Sequence, residues 1–190
     1  ERLGLDGVVV VDEDAAAAHL GALQEGGTTG LVLSEGIHQF HFKKELKPHF
    51  KPNNTLVISQ FHPNARWAAH YAMTRNQLVC ALSGAVIVIV SGLEKDSNGR
   101  RSGTFDTGMT ALKMNVPVFV VSPAFFDDAP EGNRALINQG CLEWRPSEGV
   151  GAIEQAMHSI SHQTKRKTLS KAVSGDLFQK DVNSNPDKAA

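Results

Sequence analysis

The sequence is short of several things, and each shortage removes a class of function. Long apolar runs are missing. The most continuous one, residues 85–90, is far shorter than the ~20 residues a membrane helix needs, and no basic leader precedes a signal-like segment, so neither membrane insertion nor export is expected. Cysteine is scarce: Cys80 and Cys141 stand far apart with no other soft ligands beside them, which fits two buried thiols in a reducing cytoplasm. Charge of one sign is also scarce, with a net charge of -1 and a pI near 6.8. Any nucleic-acid site must therefore be a local concentration of Lys and Arg. Catalytic signatures are absent as well. Gly-x-Ser-x-Gly does not occur, and the i, i+4 pair His158 and His162 lacks an HExxH or cysteine partner, so no catalytic residue, metal or cofactor is expected. The chain opens at Glu1 instead of a methionine, as expected where an upstream piece is not represented.

What is present is alternation. Short runs of Val, Ile and Leu at residues 7–11, 29–33, 55–59, 85–90 and 116–121 read as strands buried on both faces of a parallel sheet. Helical stretches at 14–24, 64–82 and 103–114 separate them, and a short helix at 133–139, an edge strand at 141–144 and a helix at 151–160 follow. This pattern predicts an α/β fold, Rossmann-like and doubly wound, with a mostly parallel sheet and helices on both faces. With 41% apolar residues in 190 the chain can build one core. One domain over residues 1–162 and a mobile polar tail over 163–190, carrying Lys165, Arg166, Lys167, Lys171 and Lys180, are expected.

Ligands of such sheets bind beyond the carboxyl ends of the strands. The strongest signal there is Ser102-Gly103-Thr104, which follows the 85–90 strand and opens a helix. Gly103 allows close backbone approach, the hydroxyls can donate, and the first helical N–H groups attract an anion. Ser102 or Thr104 capping the helix is the plainer alternative. Arg100 and Arg101, just upstream, add positive charge or are ordinary loop cations. Arg75 and Asn76 interrupt an apolar helical stretch and are expected to face a cleft, where Arg75 would grip a phosphate or pair with an internal acid. Lys43 and Lys44 are expected on a lysine-rich helix that extends the positive surface or simply faces solvent. Asp127, Asp128 and Glu131 lack the spacing of a cation loop, and Asn133 is expected to cap the helix that follows them.

These pieces fall in the order seen in the DNA-processing protein A (DprA/Smf) family, over residues 7–144. Ala17-Ala18-His19-Leu20 with Gly26-Gly27-Thr28, Leu31-Val32-Leu33-Ser34-Glu35-Gly36, Thr74-Arg75-Asn76-Gln77, Ser102-Gly103-Thr104 and Gly132-Asn133-Arg134-Ala135-Leu136-Ile137 each resemble a segment of that family. The resemblance implies a Rossmann-like fold, single-stranded DNA or nucleotide bound at the strand carboxyl ends, a homodimer, and a recombinase of the RecA type as partner. Arg75, Asn76, Arg100, Arg101, Ser102, Gly103, Thr104, Lys43 and Lys44 are the residues expected to hold the nucleic acid. The chain departs from the pattern in three places. Asp12-Glu13-Asp14 stands where the family has a glycine-rich loop, Gln77 replaces the second arginine of Arg-Asn-Arg, and no winged-helix sequence follows Trp144. The competing reading is a nucleotide sensor or a hydrolase resembling the lysine decarboxylase-like phosphoribohydrolases of the same superfamily. Their pattern ends in a carboxylate where this chain has Thr107, and Asp106 is rotated about 100° around the helix from that position.

Overall fold

The computed structural model describes residues 7–11, 15–44, 46–155, 157 and 158. The expected polar tail and the acidic residues 12–14 lie outside the described residues. The elements run β1 (Gly7–Val11), α1 (Ala15–Gln24), β2 (Thr29–Val32), β3 (Thr55–Ile58), α2 (Ala69–Leu82), β4 (Ser83–Val88), α3 (Gly103–Lys113), β5 (Val118–Val121), α4 (Glu131–Asn138) and β6 (Leu142–Trp144). Every strand pairing is parallel. β1-β4-β5-β6 form one sheet and β2-β3 a second. Set side by side, they give the order 3-2 and 1-4-5-6 of a doubly wound fold. β1 and β2 exchange no ladder among the described residues, but α1 and α2 each touch both strands and span the gap.

The alternation along β4 divides the core. Val86 and Val88 point to one side, where they meet Cys80 of α2, Phe105 and Ala111 of α3, Leu136 of α4, and Val118 and Val120 of β5. Ala85 and Ile87 point to the other, where they meet Phe119 and Ile153 from the helical turns at 151–155. A strand buried on both faces needs apolar residues at every position, which is why these runs lack the polar alternation of a half-exposed sheet. Burial pushes the thiols of Cys80 and Cys141 up to about 11, so both are held as neutral core groups.

Helix ends are fixed by local chemistry. α2 passes into β4 with no loop, Ser83 being both its C-cap and the first strand residue. α3 ends where Asn115 turns left-handed at φ 56° and Val116 N donates to Ala111 O. α4 ends the same way through Gly140, φ 101°, with Cys141 N donating to Leu136 O. A positive φ is where glycine or asparagine closes a helix most cheaply. Two expected boundaries move. The 64–82 helix starts only at Ala69, because Pro63 O and Ala65 O accept from His38 N and Gly36 N of the loop after β2. Lys43 and Lys44 lie not on a helix but on successive turns, where Leu46 N and Lys47 N both donate to Lys43 O.

Asn133 does not cap its helix. α4 begins two residues earlier, after Pro130, and the Asn133 side chain is completely buried. Its Nδ2 donates to Ile89 O at 2.8 Å and to Val121 O at 2.9 Å, while its Oδ1 accepts from Ser91 N at 2.8 Å. One amide thus joins the carboxyl ends of β4 and β5 and bonds three backbone groups there. Gly132 lets it come so close: a Cβ there would lie 2.1 Å from Gly92 O.

Asn133→Ala leaves those three groups buried and unpaired. At roughly 1–3 kcal/mol for an unsatisfied buried group, partly offset by relaxation, the loss should be about 2–4 kcal/mol. Urea unfolding should show it as a lower midpoint at unchanged slope. A midpoint within experimental scatter of the parent would mean that the clasp contributes nothing.

Candidate nucleic-acid interface

α2 and α3 lead directly into parallel neighbours of one sheet and pack against each other on one face, so they run in the same direction. Cys80 Sγ donates to Thr107 O at 3.5 Å and sets their relative height. Asn76, one turn before Cys80 on the buried side of α2, is therefore level with Gly103 at the start of α3. The carboxyl edge of the sheet thus gathers Asn76, Ser102, Gly103 and Thr104. Arg75, next to Asn76, extends toward the end of β2.

At the start of α3, Ser102 Oγ accepts from Phe105 N at 3.2 Å, so the capping role is occupied. Asp106 N is bonded to Ser102 O. The N–H groups of Gly103 and Thr104 belong to the first helical positions, which have no partner within the helix. A Cβ at Gly103 would meet nothing within 4 Å and the residue is exposed, whereas Thr104 is buried. Thr107 is buried, and its Oγ1 donates to Gly103 O at 2.8 Å. It steadies the first turn of α3.

Arg75 neither reaches a carboxylate among the described residues nor stands free. Its Nη1 donates to Val32 O at 2.9 Å, its Nε is buried without a partner, and burial lowers its pKa. A guanidinium has five donors in a rigid fork, so this one bond leaves most of the group to shape the local field. Near it, His19 Nδ1 is hydrogen-bonded to Thr29 Oγ1 at 2.7 Å. Burial lowers the His19 pKa, and the charges of Arg75 and Lys43 lower it further. Arg75 and Lys43, distant in sequence, therefore share one environment at β2.

Arg100 and Arg101 sit on a tight exposed loop. Asp96 Oδ1 accepts from Asn98 N and Arg100 N, Asp96 N donates to Arg100 O, and Lys95 bridges Arg101. Arg101 lines a depression of about 330 Å³ with Lys113, Glu94 and Asp106, so its charge is opposed locally. The other side of the edge differs. Between residues 46 and 93 the sequence contains no Asp or Glu, but it has Lys47, Lys51, Arg66 and Arg75. That contrast is readable from the sequence, although the motifs draw attention to Arg100 and Arg101 first. Among the described residues no group of His, Cys, Asp or Glu is placed to hold a metal, and no helix is long and apolar enough to cross a membrane.

Residues 11–149 match the family described as DNA recombination-mediator protein A. The DNA processing protein DprA of Streptococcus pneumoniae is 30% identical over 126 residues, which are 65% of this chain and 42% of that protein. Protein Smf of Escherichia coli is 27% identical over 158 residues, 82% of this chain and 38% of that protein. The chain thus spans about two fifths of the length of these curated relatives. Among solved structures, DprA of S. pneumoniae superposes with a TM-score of 0.58 at 26% identity, covering 78% of this chain and 52% of that one. DNA processing protein A of Helicobacter pylori, described by its single-stranded DNA binding mode, superposes with a TM-score of 0.54 at 16% identity over 82% of this chain and 80% of that one. At that identity the likeness is one of fold.

His19 gives this side of the structure a pH signature. Its pKa in the folded chain lies below the ordinary 6.5, so between those two values the unfolded chain binds more protons and stability falls as pH falls. Stability measured at about pH 8 and about pH 5 should therefore drop, and the drop should be smaller in His19→Gln, which keeps a hydrogen bond to Thr29 without the titration. Equal acid sensitivity in both proteins would remove His19 as a cause.

Proposed function

This chain belongs to the DNA recombination-mediator protein A (DprA/Smf) family, and from that premise we propose that it binds single-stranded DNA along the carboxyl edge of its sheet, as a module that protects or presents the strand for recombination. The observation that supports this most is the meeting at one edge of the α3 N-terminus, where Gly103 is exposed, with the Arg75–Asn76 segment of α2. Backbone N–H groups at a helix start hold phosphate without reading sequence. The flanking arginines act over longer range: Arg75 from the 46–93 stretch, which contains no Asp or Glu, Arg100 and Arg101 from a side where Glu94 and Asp106 oppose them. Lys43 and Lys44 extend the positive side past β2. We assign the strand rather than a free nucleotide to this edge, and we place a second copy of the chain and a recombinase of the RecA type among its partners in the cytoplasm. The chemistry asked of the residues is binding, and no step of bond cleavage is assigned to them.

Titration of labelled oligo(dT) at several salt concentrations tests the reading. Genuine phosphate contacts make the logarithm of affinity fall with the logarithm of salt, by about 0.7 per phosphate contacted on a single strand. Gly103→Val should keep its fold, because the added Cβ enters open space, and should lose more than about tenfold in affinity if one charge-assisted contact of about 1.5–3 kcal/mol is blocked. Undiminished binding by a folded Gly103→Val protein would return Ser102-Gly103-Thr104 to the role of a helix cap alone.

A further inference from the structure

Trp67 is 61% exposed, yet the backbone that carries it is firmly braced. Gly36 N donates to Ala65 O at 2.8 Å and His38 N to Pro63 O at 3.0 Å. Ser59 Oγ donates to Glu35 O at 2.7 Å, and His38 Nδ1 is bonded to Asn64 Oδ1 at 2.9 Å. The two loops approach so closely that a Cβ on Gly36 would lie 2.2 Å from Pro63 O. On either side of Trp67 in the chain, Phe61 stacks on Tyr71 with ring centroids 4.2 Å apart, and His70 tilts against Tyr71 at 4.3 Å. The indole is therefore exposed on a braced stretch of backbone, with exposed Arg66 beside it.

Its position continues the edge already described. Trp67 immediately precedes Ala68, the N-cap of α2. Asn76 is level with Gly103, so α2 extends some seven residues past the start of α3, about 10 Å at 1.5 Å per residue. Trp67 is thus an outlying point on the same side of the fold, within the acid-free stretch 46–93. A lone exposed aromatic would suit many partners. An exposed aromatic beside an exposed arginine suits a polyanion that also offers flat apolar faces, which describes a strand of unpaired bases.

We propose that Trp67 is a nucleobase-stacking station for single-stranded DNA, with Arg66 contacting the adjoining phosphate. This rests on the single-strand reading and gives it a second point of attachment. It also gives it a preference, since bases in a duplex keep their faces buried against each other while those of a single strand are free to stack.

The test compares oligo(dT) of about 16 nucleotides with an abasic oligonucleotide of equal length and charge, using the full chain. The parent should favour oligo(dT) by about fivefold or more, the fold-change expected of one stacked base. Trp67→Ala should abolish that preference while leaving the abasic affinity in place, and Trp67→Phe should retain part of it. The chain has two tryptophans, so in Trp144→Phe the remaining emission comes from Trp67, and oligo(dT) should quench it while the abasic strand does not. A Trp67→Ala protein with full oligo(dT) preference, or Trp67 emission indifferent to saturating oligo(dT), would overturn the proposal. If the parent binds both strands equally, stacking falls and backbone binding stands. If it binds neither, both readings fall together.

Discussion

Asn133 ties together what the strands alone do not. Parallel strands satisfy one another along their length, but their carboxyl ends open into loops, and there Ile89 O, Ser91 N and Val121 O would be left in an apolar interior. One carboxamide has the right inventory for the task, two donors and an acceptor in a plane. It fixes the spacing of β4 and β5 where the loop to α3 departs. The position of Ser102, and with it the direction in which Gly103 and Thr104 present their amides, follows from how that loop leaves the sheet. Gly132 belongs to the same device, since any side chain would push α4 off the backbone at Ser91 and Gly92.

Around that fixed edge, charge is divided. The loop before α3 mixes Glu94, Asp96 and Asp106 with Lys95, Arg100 and Arg101, so its field largely cancels at short range. The stretch from β3 through α2 has cations and no acids. Arg75 links the two parts: its fork closes the end of β2 through Val32 O, and its charge, held in a partly desolvated setting, is screened less than that of a surface lysine. A chain whose net charge is only -1 thus distributes its charge unevenly along the sequence.

How much of this was legible in the sequence depended on the range of the interaction. Alternating Val-rich runs and helical stretches gave the α/β order, because burial on both faces leaves its mark on consecutive residues. The start of α3 was legible for a similar reason: Ser102 and Phe105 are three residues apart. Asn133 was not, since its partners lie 12 to 44 residues away and nothing beside it distinguishes a cap from a clasp. The late start of α2 was hidden because helical pattern continues through 64–68, while the loop after β2 claims that backbone. Lys43 and Lys44 misled for the opposite reason, since closely spaced lysines suggest a helix face and the chain there folds into turns. The coupling of His19 to Arg75 and Lys43 exists only once β2 brings them together.

The proposed path of a single strand runs along the carboxyl edge between the starts of α2 and α3. Backbone-amide NMR of the full chain during titration with oligo(dT) tests it residue by residue. The largest shift changes should fall at Gly103 and Thr104, with a second group at Arg66 to His70, while the amides of Ser91 and Asn133 move little because the clasp stays closed. Changes concentrated on α4 and β6, with Gly103 and Thr104 undisturbed at saturation, would place the strand elsewhere and rule this path out.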